Sequence, residues 1–255
     1  MLKFVKTPIM KQLSILLLGL FLWTSCEITE KVYIDQQGNV SYSSNIDLTQ
    51  MMEMVPKDEL KENDYPIDSI FTVDGIAKSN AEFSKGFEGD EEREIMKNFK
   101  IHVKLDDDVS FMNMILDKKN LNEFNSFMSN LSSNIETINA KRMKQNEALP
   151  DSAQIDLVDI PIFSMPKLSY NKKSFKRTGA IKSITESSKS EQMEGMEGFK
   201  NMIKFKLEYH FDRPIKSVSD KSARLSPDAK TVYIEKTMAE ATENPKAFDF
   251  EVKFK

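Results

Sequence analysis

The stretch IKFKLEYHF, residues 203–211, alternates without a break: Ile203, Phe205, Leu207, Tyr209 and Phe211 on one side, Lys204, Lys206, Glu208 and His210 on the other. Successive side chains of a strand point to opposite faces, so the pattern predicts a strand with one buried and one wet face. One-sided burial belongs to antiparallel sheets more than to parallel sheets covered on both faces. AFDFEVKF (247–254) repeats the pattern through Phe248, Phe250, Val252 and Phe254, and TVYIEK (231–236) supplies a further strand. Between these runs, Arg213-Pro214 turns into IKSVS, SPDAK (226–230) forms a Pro-Asp turn, and TMAEATENP makes a short helix.

The same alternation recurs upstream. EKVYIDQQGNVSYSSNIDL (30–48) places Val32 and Ile34, then Val40, Tyr42, Ser44, Ile46 and Leu48, on one face. Gly38 is free to take the positive φ of the turn between the two runs, which predicts a hairpin. Asp47 or Thr49 caps a helix over TQMMEMVPKDELKE, which Pro56 breaks or bends. A short strand is expected at Ser69–Val73, and DEEREIMKNF (90–99) opens with acids that suit a helix N-terminus. KIHVKLD and VSFMNMILDKK form a second hairpin around Asp106, Asp107 and Asp108. Asn120 then caps a longer helix in which Leu121, Phe124, Phe127, Met128, Leu131, Ile135 and Ile138 recur at three- and four-residue steps.

From Lys141 to about Ser169 the periodicity fails and Pro150, Pro161 and Pro166 appear. We therefore divide the chain into an N-terminal half (26–146), a connector (147–169) and a strand-rich C-terminal half (170–255), two halves that can also fold as one domain. YNKKSFKRTGA (170–180) is a polar, basic strand candidate; SSKSEQMEGMEGFKN (187–201) has helical character weakened by Gly195 and Gly198. Hairpins with interspersed helices give the expected class: α+β, with antiparallel sheets and helices packed on one face.

The N-terminus carries an address. LSILLLGLFLW (13–23) is an uncharged apolar run preceded by Lys3, Lys6 and Lys11. At eleven residues it is shorter than the roughly 20 that a membrane-spanning helix needs. A basic flank, a short apolar core and the small residues Thr24 and Ser25 make residues 1–25 a secretory signal peptide, starting at Met1 or Met10. Cys26, the single cysteine, stands where cleavage exposes a new N-terminus. With no second cysteine there is no disulfide framework, and the fold must rely on its core.

Removing the three signal lysines takes the net charge from −4 to −7. An acidic chain argues against nucleic acid as a partner and against electrostatic adsorption to anionic lipid. Fifteen methionines fill core gaps or form adaptable binding surfaces, and eight glycines leave little room for phosphate-cradling loops.

The segment around Cys26 resembles the lipobox of bacterial lipoproteins, in which a small residue precedes an invariant cysteine that receives diacylglycerol. Trp23 stands where the family usually has leucine, with Leu22 one place earlier. VYIDQQGNVSYSSNIDLTQMM (32–52) and YHFDRPIKSVSDKSARLSPDAKTVYIE (209–235) are similar to segments of uncharacterised envelope lipoproteins. Those proteins join a lipobox to a glycine hairpin, a Met-rich helix and a strand-rich C-terminal part. The resemblance implies lipidation at Cys26 with palmitate-class acyl chains, an anchor in the outer membrane, and a domain in the cell envelope. It implies no catalytic residue.

The residues themselves show no catalytic constellation. His102 and His210 each fall on the wet face of a strand, too few to ligate a metal without converging carboxylates. Asp106–Asp108 lacks the glycine and closing glutamate of an EF-hand loop and fits a solvated turn. GFEGDEERE (86–94) is an acidic loop leading into a helix. No G-x-S-x-G, S-x-x-K with K-T-G, or H-E-x-x-H motif is present. Lys167, Lys172, Lys173, Lys176, Arg177 and Lys182 concentrate charge in KLSYNKKSFKRTGAIK. Such a stripe docks an anionic envelope component or an acidic protein face, or else protects a sheet edge. The expectation is a non-enzymatic binding domain without a cofactor, anchored to the membrane by lipid. It engages an envelope protein or anionic component through its sheet face or the basic strand. The alternative is a carrier or sensor of an apolar ligand held between the sheet and the Met/Phe-rich helices (51–54, 121–138); an envelope hydrolase ranks last.

Overall fold

A computed structural model describes residues 27–53, 65–75, 94, 96–147, 166–179, 203–244 and 246–255. The signal segment, Cys26, Pro56, most of the acidic stretch 86–94, most of the connector, Lys182 and the glycine-bearing helix expected at 187–201 lie outside the described residues.

The chain runs β1 (Glu27–Ile34), β2 (Asn39–Asp47), α1 (Thr49–Glu53), β3 (Ile67–Thr72), β4 (Phe99–Leu105), β5 (Phe111–Asn120) and α2 (Leu121–Glu147). It continues through β6 (Lys167–Tyr170), β7 (Ser174–Thr178), β8 (Lys204–Phe211), β9 (Ile215–Val218), β10 (Arg224–Leu225), β11 (Thr231–Thr237), α3 (Met238–Glu243) and β12 (Phe250–Phe254). Eight strands form one sheet in the order β10-β11-β8-β1-β2-β5-β4-β3, and four form a second in the order β6-β7-β12-β9.

The expected α+β class is thereby corrected: the protein is predominantly β. The strands predicted after residue 166 do not all extend the first sheet. β6, β7, β9 and β12 make a second sheet, which shares with one helix the covering role assigned to helices. The large sheet is also mixed, because β1 and β8 pair in parallel from Glu27↔Lys204 to Ile34↔Phe211. Strands from both sides of the connector therefore share one sheet.

Local chemistry accounts for the turns. In the β1–β2 turn Asp35 Oδ1 accepts from the backbone of Gln37 (2.9 Å) and Asn39 (2.8 Å), while Gly38 adopts φ +85°. A Cβ on Gly38 would lie 3.2 Å from the Tyr170 ring, so glycine also lets the small sheet approach this turn. Asn120 caps α2 by accepting from Asn122 (3.1 Å) and Glu123 (3.0 Å). Thr237 and Glu240 form a capping box that starts α3. The single basic strand expected over 170–180 is instead the end of one strand, a turn and another strand. Asn171 makes that turn, its Oδ1 accepting from Lys173 (2.8 Å) and Ser174 (2.9 Å).

The inner face of the large sheet is covered in two portions. Over β2, β4 and β5 lies α2, whose Phe124 and Phe127 are completely buried against Tyr42 (ring centroids 5.6 Å) and Phe99 (5.0 Å). Asn125 ties α2 to β6 by exchanging hydrogen bonds with the Leu168 backbone at 2.7 and 2.8 Å. Over β1 and β8 lies the small sheet. There Phe175 meets Tyr209, Phe211 and Phe250 at 5.4, 5.0 and 5.8 Å. Aromatic pairs at these separations add to their area burial.

One charged group crosses this interface. Arg177 of β7 is 3% exposed and reaches into the large sheet. Its Nε donates to Glu30 Oε1 (2.9 Å) and Tyr209 Oη (2.9 Å), Nη2 to Glu30 Oε2 (3.1 Å), and Nη1 to the Phe248 carbonyl (3.1 Å). Tyr209 Oη in turn donates to Glu30. Burial alone opposes the guanidinium charge, but Glu30 and Tyr209 outweigh it and raise the Arg177 pKa. Burial first, then the Glu30 carboxylate, pushes the Tyr209 hydroxyl well above its ordinary pKa.

Cutting one side of a buried ion pair leaves an uncompensated charge. Arg177→Met should lower the unfolding free energy by about 3–5 kcal/mol in urea titration. The double variant Glu30→Leu/Arg177→Met should recover most of that loss. Equal stability of single and double variants would contradict the pairing.

Candidate functional site

The structure distributes the predicted basic stripe over two environments. Lys167, Lys172, Lys173 and Lys176 are exposed on the β6–β7 hairpin, whereas Arg177 is turned inward and belongs to the core. Alternation explains the split: Phe175 and Arg177 point inward from β7, so Lys176 between them points out. Lys176 faces Glu251 of β12 in register. Arg177 thus leaves the anionic-contact set, and the lysines remain as surface charges.

Of the other predicted polar groups, the two histidines occupy the face of the large sheet opposite α2 and the small sheet, and Asp106–Asp108 lie in the β4–β5 turn. His102 pairs with Asp68 at 2.7 Å and meets the edge of Phe111. His210 stacks on Tyr33 (5.3 Å) and bonds Thr231 Oγ1 (2.9 Å). Thr231 is buried, so this hydroxyl–imidazole pair presents no nucleophile to solvent. Asp106 Oδ1 accepts from the turn's own Asp108 (3.0 Å) and Val109 (2.6 Å) backbone, and Lys104 pairs with its other oxygen at 3.0 Å. These bonds hold the Asp106 carboxyl below the usual range, the Val109 amide first among them. Among the described residues, no three metal-ligating side chains converge.

Across this outer face the strand register lines polar side chains into two transverse rows. One runs Arg224, Tyr233, Glu208, Lys31, Ser43 over β10, β11, β8, β1 and β2. The other runs Glu235, Lys206, Thr29, Asn45, Asn113 over β11, β8, β1, β2 and β5. Rows two residues apart on one face are separated by about 6.5–7 Å. They floor and wall an open groove of about 840 Å³. Its charges are matched: Lys31–Glu208 at 3.3 Å, Lys206–Glu27 at 2.5 Å and Arg224–Glu235 at 3.9 Å. Partial burial works against the Glu27 charge, yet Lys206 and Thr29 hold its carboxyl below the usual range.

Within the groove, Asn113 Oδ1 is buried and, among the described residues, has no hydrogen-bond partner. A buried acceptor left unpaired costs about 1–3 kcal/mol. An acceptor of this kind marks a place for an ordered water, an ion or a ligand group. The groove is thus a neutral, hydrogen-bonding surface of hydroxyls, amides and matched charges. Sequence reasoning found the outward residues of each strand but not the groove, because only the placement of β1 between β2 and β8 aligns them. No sequence signal singles out Asn113.

The Met/Phe-rich helices expected to hold an apolar ligand against the sheet are described only in part. The described part of the α2–sheet interface is filled by Phe124, Phe127, Met128 and Leu131. α1 is a single five-residue turn, and residue 54 lies outside the described residues.

Asn113→Thr tests the unpaired acceptor. It removes the orphan oxygen and places a β-branched residue on a central strand. It should raise the unfolding free energy by about 1 kcal/mol in urea titration. A loss of similar size would mean that the amide is satisfied in solution.

No family model matches the sequence, and no curated protein matches it. Among solved structures, the folded domain of Mycobacterium tuberculosis LppM overlaps with 91% of this chain and 90% of its own length, at 7% identity and a TM-score of 0.43. That overlap is a distant similarity of chain course and assigns this protein neither a fold family nor a function.

Proposed function

We propose that this protein is a lipid-anchored, non-enzymatic binding domain of the cell envelope, with the groove on the outer face of the large sheet as its ligand site. The observation that carries the site is the pair of transverse polar rows with matched charges, beside a buried amide oxygen that has no partner among the described residues. A groove with no net charge selects neutral polar ligands, because an unmatched ligand charge would find no free counter-charge there. Exposed Tyr233 at the groove wall supplies the aromatic face that often accompanies such hydrogen-bonding sites. Support for the anchor comes from the sequence: a basic flank, a short apolar run and Cys26 directly after Thr24-Ser25. Each buried methylene of an acyl chain contributes about 0.8 kcal/mol, so several chains hold a soluble domain firmly.

The ligand site is tested by recording amide NMR shifts of the full chain while envelope extract, fractionated by charge, is titrated in. A neutral fraction should perturb Thr29, Ser43, Asn45, Asn113 and Tyr233 together, and Asn113→Leu should abolish the response. Perturbations confined to other surfaces, or a response indifferent to Asn113, would reject the site.

The anchor is tested separately by Cys26→Ala. The variant should leave the membrane fraction and lose labelling by fatty-acid analogues in the host. Continued membrane fractionation of the variant would overturn the lipid anchor.

A further inference from the structure

Charges in the groove are matched, but those at one tip of the small sheet are not. Lys172 and Lys173 occupy the β6–β7 turn, and Arg213 reaches this turn by donating to the Lys172 carbonyl. Phe254 N bonds Lys173 O at 3.0 Å, which brings the end of β12 and Lys253 alongside. Lys253 pairs in register with Ser174 on one side and Ser217 on the other, next to Lys216. Among the described residues, no carboxylate lies within ion-pair distance of these five cations. Of the acids nearby, Asp212 accepts from Tyr33 Oη (2.7 Å) and Asp228 from Ser226 Oγ (2.5 Å) and the Lys230 amide (3.1 Å), and neither forms an ion pair with these cations. A cluster of unmatched cations on a chain of net charge −4 is a local exception to the whole.

We propose that this tip, formed by Lys172, Lys173, Arg213, Lys216 and Lys253, docks an acidic protein segment. Two observations select that partner. First, four of the five groups are lysines, compact point charges spread over the β6–β7 turn, β9 and β12, a spacing that meets charges dispersed along a chain rather than one compact group. The one guanidinium is already committed, stacked 5.8 Å over Phe254 and bonded to Lys172 O, so its fork is not open to grip a phosphate from both sides. Second, the tip lies at the far end of β1 from Glu27: Asp212 N bonds Ile34 O, and Gly38 abuts Tyr170. β1 starts at the residue after Cys26, so the anchor of the proposed function leaves no spacer. The eight residues of β1 span roughly 23 Å, so with β1 upright on its anchor the tip lies beyond the Debye length of about 8 Å. In that orientation the headgroups of the protein's own leaflet are out of its reach. A neighbouring copy in the same leaflet presents a like-charged tip at the same height. Only the exclusion of these two partners rests on the anchor at Cys26.

The test uses the full chain in nanodiscs of zwitterionic phosphatidylcholine, titrated with a fluorescein-labelled peptide of alternating Glu and Ser. Binding should weaken as salt rises. The triple variant Lys172→Gln/Lys173→Gln/Lys253→Gln should bind roughly tenfold more weakly, with an unchanged melting temperature. Lys31→Gln in the groove should leave peptide binding as it was. No binding, or binding indifferent to the triple variant, would overturn the proposal, as would polyphosphate or phosphatidylglycerol vesicles displacing the peptide from the tip. The same titration on Cys26→Ala protein separates this proposal from the anchor. Charge-dependent peptide binding there supports the tip whatever Cys26 carries, and its absence overturns it.

Discussion

The Arg177 guanidinium, enclosed between two sheets, is the interaction on which the rest of this structure depends. It ties β7 of the small sheet to β1 and β8 of the large one through Glu30 and Tyr209, and to the segment before β12 through the Phe248 carbonyl. Aromatic packing around Phe175 tolerates small shifts, because ring pairs accept centroid separations from about 4.5 to 7 Å. A bidentate ion pair is not so tolerant: one register of the small sheet over the large one satisfies it. Hydrophobic residues of equal volume would serve stability as well or better, so the contribution of the pair here is to fix how the sheets face each other.

That alignment has an effect on the opposite side. With small sheet and α2 committed to the inner face, the outer face keeps its polar side chains in ordered rows. β1 and β8 are common to both surfaces, and β1 shows the link most directly. Glu30 faces inward to Arg177, while Glu27, Thr29 and Lys31 face outward into the groove. The buried ion pair and the groove floor are thus alternate residues of a single strand, and the rigidity of one steadies the other.

Alternation along the chain made most strands and their wet and dry faces legible. β8, β11, β12 and the β1–β2 hairpin follow directly from Phe205, Val232, Phe250, Val32 and their alternate neighbours. The start of α2 was legible too, from Asn120 and the spacing of Phe124, Phe127 and Met128. The partition of strands between two sheets was not, because a period of two states which face is dry without saying what covers it. Arg177 shows the limit clearly. In a run of lysines its charge suggests solvent, yet its parity with Phe175 places it in the core, and its partner Glu30 lies 147 residues away. The groove was illegible for the same reason: Lys206 and Thr29 become neighbours only once β8 is laid beside β1. Asn171 explains the remaining miss, since its side chain folds a turn into a stretch whose composition suits one continuous strand.

The parallel pairing of β1 with β8 also governs the order in which the protein can assemble. β1 and β2 are joined by a short turn and can pair early, but the other edge of β1 stays open until residues 204–211 arrive. Glu30 waits as well, for Arg177 from the second sheet. Contacts so distant in sequence form slowly, since the chain entropy between them must be lost before they reward it. A chain whose first described strand needs residues 204–211 therefore completes its large sheet only after most of it has been made.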